Sequence, residues 1–538
     1  MFRSLPPIAL CLFIVTDAAA DPVKESAERI KADIAYLASD RLEGRGPGTR
    51  GEELTTDFIA GEFKKAGLKP VGKDGSYFQP VPLIRVATNP KSTLRATKGE
   101  QKLDFTAGDD FSGMSQTQTE LEDFDAEAIF VGHGITAPEF GWDDYKDVDV
   151  KGKVVVLFTN EPPSKDSAFF GGTALTYYGR WTFKFEQAAR RGAKACLIIH
   201  TNETAGYPYS VVRPLDGAQL ERETDKPALA FAGWLTRKAG DQLLGLSGRT
   251  VEAALKEADT KGFKAYSLGV KLNGHIETRL EKIVSNNVVG MIEGSDPALK
   301  SEAVVFTAHW DHLGVGRGVV GDTIYNGAAD NATGCGILLE LARKWSALET
   351  KPKRSALFLA VTAEEKGLLG SKYYTRHPIV PLGKTAIDIN FDMILPLGVP
   401  ESIVVNGAER TTAWPIVKSV AEKHRLEIEA DQRAHLGIFY RSDHFSMARA
   451  GVPGFSVSSG MKIKGKPADF ARKAMQEFND KAYHSPQDEV RPDWDYSGLA
   501  VLAQFAVDLA REVANADRLP TWNPGDEFRP AREKSGVK

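Results

Sequence analysis

The chain reads as an α/β protein, a mixed and mostly parallel sheet with helices on both faces, plus an inserted β-rich domain. Three observations predict this. From Ile283 onward, short apolar runs alternate with amphipathic stretches, as in parallel strands joined by crossover helices. From about 120 to 275 that rhythm gives way to short apolar runs separated by turn residues. And 538 residues are too many for one compact core.

In chain order, the first twenty residues are set apart from the fold. Arg3 supplies a positive start, Ile8 to Val15 an apolar stretch, and Ala18-Ala19-Ala20 a small-residue cleavage site before Asp21. The apolar stretch is short for a membrane span. Bulky Leu10 before Cys11 argues against lipidation there. Export to a periplasm or to the medium is the expectation, with no stable membrane insertion after cleavage. Two amphipathic helices follow, on Ile30, Ile34 and Leu37 and on Leu54, Phe58, Ile59 and Phe63. Gly67 and Pro70 stop the second. A Gly/Pro loop, Leu42 to Thr49, lies between them, and Gly75-Ser76-Tyr77-Phe78-Gln79 leads into an alternating segment ending near Val86.

Within the insert, Ala128–Val131, Val154–Phe158 and Ala195–Ile199 read as strands and Phe183–Arg190 as a helix. Beyond it, Ala303–Ala308, Ala356–Val361, Ala386–Ile389, Ile403–Val405 and Gly454–Val457 read as strands. Thr333 to Leu348 reads as a helix capped by Asn331 or Thr333. The expected division is 1–20 leader, 21–119 with 276–517 as one discontinuous domain, 120–275 as the insert, and 518–538 as a tail. Pro, Gly and charges in the tail suggest a segment that wraps the surface or stays disordered. Net charge is −4, which excludes a strong pull toward nucleic acid or anionic membrane. Of 3 cysteines, Cys196 and Cys335 lie far apart, so no disulfide framework is expected.

The chemistry sits where apolar runs end. His309 and Asp311 follow one run, Glu364-Glu365 another and Asp392 a third; Asp330 lies in a small-residue turn and His484 far downstream. In sheets of this kind ligands bind beyond the carboxyl ends of the strands. Five such groups can hold two divalent metals with one carboxylate shared, leaving one glutamate to move protons. His309 offers an imidazole, which needs its other nitrogen held, and Asp311 is near in sequence. Asp330 has two oxygens with which to bridge. Adjacent acids at a strand end are costly without a cation, so Glu365 is assigned to metal and Glu364 to general base. Tyr440 and Tyr483 are both candidates to donate to a tetrahedral oxyanion, or are ordinary packing residues. His312, His435 and His444 are further pocket candidates.

These motifs resemble the family-28 zinc metallopeptidases, co-catalytic exopeptidases that include secreted bacterial aminopeptidases. The resemblance rests on His309-Trp310-Asp311-His312, Gly327-Ala328-Ala329-Asp330-Asn331, Glu364-Glu365, Phe391-Asp392-Met393, Ser442-Asp443-His444 and Tyr483-His484-Ser485. Leu42-Glu43-Gly44-Arg45 and Gly75 to Gln79 resemble that family's N-terminal segment, and the insert resembles its protease-associated domain. The resemblance implies a zinc exopeptidase fold, two Zn2+ and peptide substrates. One metal would take His309, Asp330 and Asp392; Glu365 and His484 would join the second, with Asp330 bridging. Glu364 would be the general base and Asp311 the partner of a ligand. A carboxypeptidase or dipeptidase on this scaffold would need a basic pocket, for which Arg441 and the lysines from Lys462 to Lys466 are sources. A binding protein with a structural zinc site is the reading from another class.

Overall fold

The computed structural model describes residues 21–316 and 321–537; the expected leader lies outside them. Four strands form the parallel centre of the main sheet, in the spatial order Ser355–Val361, Ala303–His309, Thr385–Asn390 and Gly454–Ser459. Antiparallel strands flank them: Tyr266–Ile292 on one side and Ser402–Asn406 on the other. Phe78–Thr88 then pairs antiparallel with Tyr266–Ile292.

The central strands are buried on both faces, which is why they read as unbroken apolar runs. Val304, Phe306, Ala308, Ala356, Phe358 and Ala360 face one core. That core is closed by helices Pro22–Leu37, Arg50–Lys65, Thr333–Ser346 and Ser497–Asn515. Alternate residues Val305, Leu357, Leu359 and Val361 face a second core with Tyr374, Met447 and Val452. Cys196 and Cys335 are free and buried.

The second layer is built around parallel strands Val154–Phe158, Ala195–Ile199 and Phe231–Leu235. Helix Trp181–Arg190 packs beside them through Phe185 and Ala188. This layer also takes in Thr93–Lys98, Gln101–Thr106 and Phe111–Met114, which precede residue 120. The reason is the 27-residue strand Tyr266–Ile292, which pairs with this layer in its first half and with the main sheet in its second. One edge of the layer docks on the main domain. Leu175 N donates to Ala434 O at 3.0 Å, Tyr177 lies 4.9 Å from the Phe445 ring, and Arg449 forms a two-pronged pair with Glu186 at 2.7 Å.

Of the two alternatives for the tail, disorder does not hold: the segment lies against the main domain. Trp522 is fully buried against Phe439, Phe445 and Phe528, and its indole N–H donates to Gly451 O at 2.9 Å. Helix Arg529–Lys534 follows, with Arg532 buried and donating to the carbonyls of Leu382 and Pro520. Charge counting missed that one tryptophan anchors the segment. Trp522→Ala is expected to destabilise the protein by about 3–5 kcal/mol, read as a shifted midpoint in urea unfolding. An unshifted midpoint would show that the tail adds nothing.

Candidate metal centre

The site is assembled from the carboxyl ends of the parallel strands. His309 is the last residue of its strand, Glu364 follows Val361, and Asp392 follows Asn390. Asp330 lies in the turn Ala328–Ala332 that opens helix Thr333–Ser346. His484 arrives from the loop after helix Phe470–Lys481.

Asp330 is the centre of the arrangement. Its Oδ1 lies 3.2 Å from His309 Nε2, and its Oδ2 lies 3.3 Å from His484 Nε2. Each imidazole nitrogen also meets a second carboxylate. His309 Nε2 is 3.2 Å from Asp392 Oδ1, and His484 Nε2 is 3.1 Å from Glu365 Oε2. The two halves mirror each other across one aspartate. His312 adds a further nitrogen, with Nδ1 2.7 Å from Glu365 Oε1. Metal-sized groupings accordingly form on His309, Asp330 and Asp392 and on His312, Asp330 and Glu365.

Electrostatics explains why these groups hold together. Burial opposes charge on His309, but Asp392, Glu364 and Asp330 outweigh it and raise its pKa well above the usual value. His484 is pushed up to about 10: burial again opposes the charge, and Glu365 and Asp330 prevail. Burial and the neighbouring Glu365 work against ionised Asp330, yet the two imidazoles hold it lowered. Glu364 is different. Burial, Asp392 and Glu365 drive its carboxyl well above the carboxylate range, with His309 only partly opposing.

The surrounding loops are tied down by Arg45, which the sequence marked only within a motif, by Asp488, to which it gave no role, and by the expected cap residue Asn331. Arg45 is buried and donates to the carbonyls of Trp310 at 2.9 Å and Gly327 at 2.8 Å, as well as to Leu37 and Asn326. It clamps the turns that carry Asp311 and Asp330. Asp488 accepts the backbone N–H groups of Ala329 at 2.8 Å and Asp330 at 3.0 Å. It lies four residues past His484, so it joins the histidine loop to the aspartate turn. Asn331 Oδ1 accepts from Gly334 N, the capping role, and from Met393 N, while its amide donates to Phe391 O. Thr333 instead donates to Ala329 O. Gly327 has φ +58°, and a Cβ there would fall 2.4 Å from Asp330 O.

Other expected residues fall as follows. Asp311 Oδ1 accepts Glu364 N at 3.0 Å and stands 3.8 Å from His309 Nδ1. The nearer contact to that nitrogen is Asp311's own carbonyl, at 3.1 Å. Thus the carboxylate positions the glutamate turn and the backbone orients the imidazole. Burial pushes the Asp311 carboxyl up to about 7. Tyr483 stacks on His484, ring centroids 3.9 Å apart, and feels Asp330, Glu365 and Glu364. Tyr440 donates its hydroxyl to Glu527 Oε1 at 2.9 Å within an aromatic cluster. His444 is buried against Phe439, and burial lowers its pKa to about 3; His435 is exposed. Lys462 is engaged by Glu427, and Lys466 lies over Phe470.

The donors suit a cation. Imidazole nitrogens and carboxylate oxygens are the ligand set of zinc and its neighbours. Glu365 Oε1 and both nitrogens of His312 are buried and make no well-directed hydrogen bond; the 2.7 Å approach of His312 Nδ1 to Glu365 Oε1 is a close contact without that geometry, as between two groups that share a cation.

Comparison with known proteins agrees in fold and motif. Residues 287–509 match the family model described as Peptidase family M28. A "probable leucine aminopeptidase 2" of Aspergillus oryzae is 25% identical over 380 residues, 70% of this chain and 60% of that protein. An aminopeptidase of Bacillus subtilis (strain 168) is 25% identical over 368 residues, 66% of this chain and 62% of its own. The chain thus spans less than two thirds of the length of these curated relatives. Among solved structures, an aminopeptidase from Aneurinibacillus sp. strain AM-1 superposes with a TM-score of 0.51 at 19% identity, covering 94% of this chain and 98% of that one.

If Asp488 fixes the Asp330 turn, Asp488→Ala should weaken metal binding about 10–100-fold, read by competition with a chromophoric chelator. Wild-type affinity in that variant would remove Asp488 from the site's support.

Proposed function

Starting from a unit, residues 287–509, that belongs to Peptidase family M28, we propose that the chain is an exported two-zinc aminopeptidase that releases N-terminal residues from peptides. The single observation that carries this is the mirror arrangement of His309 and His484 across the two oxygens of Asp330. His309, Asp330 and Asp392 would hold one zinc, and Asp330, Glu365 and His484 would hold the other. His484 is preferred to His312 as the ligand because its Nε2, like that of His309, meets two carboxylates at once. His312 supports Glu365. Export rests on the leader-like first twenty residues. Among the described residues, no helix is long and apolar enough to cross a membrane.

Bound there, zinc supplies Lewis acidity and brings the pKa of a water toward neutrality. The chain's own residues do the rest. Glu364, held beside the ligand Glu365, takes a proton from the attacking water and returns it to the leaving amine. Asp311 fixes that glutamate through its backbone N–H. Tyr483 is the tyrosine beside the ligands and donates to the developing oxyanion, whereas the Tyr440 hydroxyl is taken up by Glu527. The surplus of carboxylates at the site receives the free amine of the substrate.

Two measurements test this. Glu364→Gln should keep its zinc by elemental analysis while kcat falls at least about 100-fold; near-normal turnover would refute the assignment of the base. A panel of aminoacyl anilides, with free and acetylated amino ends, should be cleaved only when the amine is free and only without chelator. Cleavage of the acetylated set would point to a different peptidase class.

A further inference from the structure

The side chain of Glu364 has no partner to hold it. Among the described residues its carboxylate makes no hydrogen bond and no ion pair, whereas the next residue, Glu365, meets His312 at 2.7 Å and His484 at 3.1 Å. The backbone of Glu364 is engaged instead. Its N–H goes to Asp311 Oδ1, and its carbonyl accepts Gly367 N at 2.8 Å and Leu368 N at 2.9 Å. The place of this carboxylate is therefore set by the turn from Thr362 to Gly370. Two residues of that turn, Ala363 and Leu368, stand in the left-handed region at φ +51° and +62° without being glycine. Such backbone persists where its surroundings over-determine it.

One buried amide closes the neck of the turn. Strand Ser355–Val361 makes its last pair with strand Tyr266–Ile292 at Ala360, opposite Val288. Past that point a side chain takes over from the ladder. Asn287 Oδ1 accepts Thr362 N at 3.0 Å, and Asn287 Nδ2 donates to Gly370 O at 3.0 Å. Gly370 N donates in turn to Thr362 O at 2.9 Å, so the two ends of the turn are joined to each other and to one amide. Asn287 is fully buried, and its Nδ2 also donates to Gln79 Oε1 at 2.9 Å, which fixes its orientation. The neck is too tight for a side chain at Gly370, where a Cβ would fall 2.3 Å from Thr362 O and 2.5 Å from Asn287 Oδ1. The crest of the turn is braced separately. Lys372, on helix Leu369–Arg376, donates to Gly367 O at 2.8 Å and, among the described residues, makes no ion pair.

We infer that Asn287 and Lys372 are positioning residues for the general base: the amide at the neck and the ammonium at the crest set where Glu364 meets the attacking water. This rests on the aminopeptidase reading above, in which Glu364 moves the proton. Proton transfer needs the carboxylate within hydrogen-bond reach of that water. A displacement of about 1 Å costs up to about 100-fold in rate. Glu365 is less exposed to movement of the turn, because His312 and His484 hold its far end. The two consecutive glutamates are thus placed by different means, the base through its backbone and the ligand through its side chain. Loosening the turn separates them, with proton transfer lost and metal kept.

The test uses the zinc-loaded protein and a leucyl anilide. In Asn287→Ala kcat should fall at least about tenfold, and in Lys372→Met about threefold or more, with KM and zinc content unchanged. Amide exchange of residues 362–370, read by mass spectrometry, should quicken about tenfold in Asn287→Ala while residues 303–309 keep their rate. Added to Glu364→Gln, either substitution should lower the residual turnover by less than about twofold, because the base it positions is already gone. Wild-type kcat in Asn287→Ala, loss of zinc along with kcat, or a full further fall in the Glu364→Gln background overturns the inference. If Asn287→Ala does not fold, wild-type kcat in Lys372→Met overturns it. The two proposals fail separately. Quickened exchange in Asn287→Ala with no anilide hydrolysis by the wild type defeats the aminopeptidase reading alone. Hydrolysis by the wild type with unaltered kcat in the variants defeats the positioning role alone.

Discussion

The structure depends on one unfavourable thing made tolerable, a concentration of carboxylates at the buried ends of parallel strands. Asp330, Glu364, Glu365 and Asp392 converge where water is scarce. Like charges about 4 Å apart cost about 4 kcal/mol at an effective dielectric near 20. His309 and His484, each between two carboxylates, offset part of this repulsion. The loops that carry the acids serve to keep that compromise in register.

The supporting residues act on backbone as much as on side chains. Arg45 gathers the carbonyls of Trp310, Asn326 and Gly327, and Asp488 gathers the N–H groups of Ala329 and Asp330. One cation and one anion thus grip the turn around Asp330 from its two chemical sides. Asn331 links it to the loop of Asp392. A site held this way loses precision when a support is removed, even with every ligand in place.

The inserted layer is not an appendage. The strand Tyr266–Ile292 runs through both layers, and the edge from Leu175 to Glu186 docks on Ala434 to Arg449. That docking sets Tyr177 against Tyr440 and Phe445 and ties the inserted layer to the domain that carries the metal ligands.

The sequence by itself determined the sheet's centre and the residues at its ends. Runs such as Val304 to Ala308 and Leu357 to Val361 are apolar on successive residues because both faces are buried, so the strands and the polar residue after each are legible in one dimension. His309, Glu364-Glu365 and Asp392 stood out for that reason, and Asp330 by its small neighbours. Only tertiary structure decided the rest. His312 beside Glu365, the carbonyl rather than the carboxylate of Asp311 nearest His309, and Tyr440 on Glu527 depend on the path of a loop, which no periodicity encodes. Trp522 made the tail part of the core by packing with Phe439, Phe445 and Phe528, a local effect that composition averages away. Arg45 and Asp488 act on backbone groups hundreds of residues from one of them and more than a hundred from the other, and an arginine or aspartate in a loop carries no local mark of what it will reach. Periodicity reports burial along one element; partnership between elements is set by how the chain closes in space.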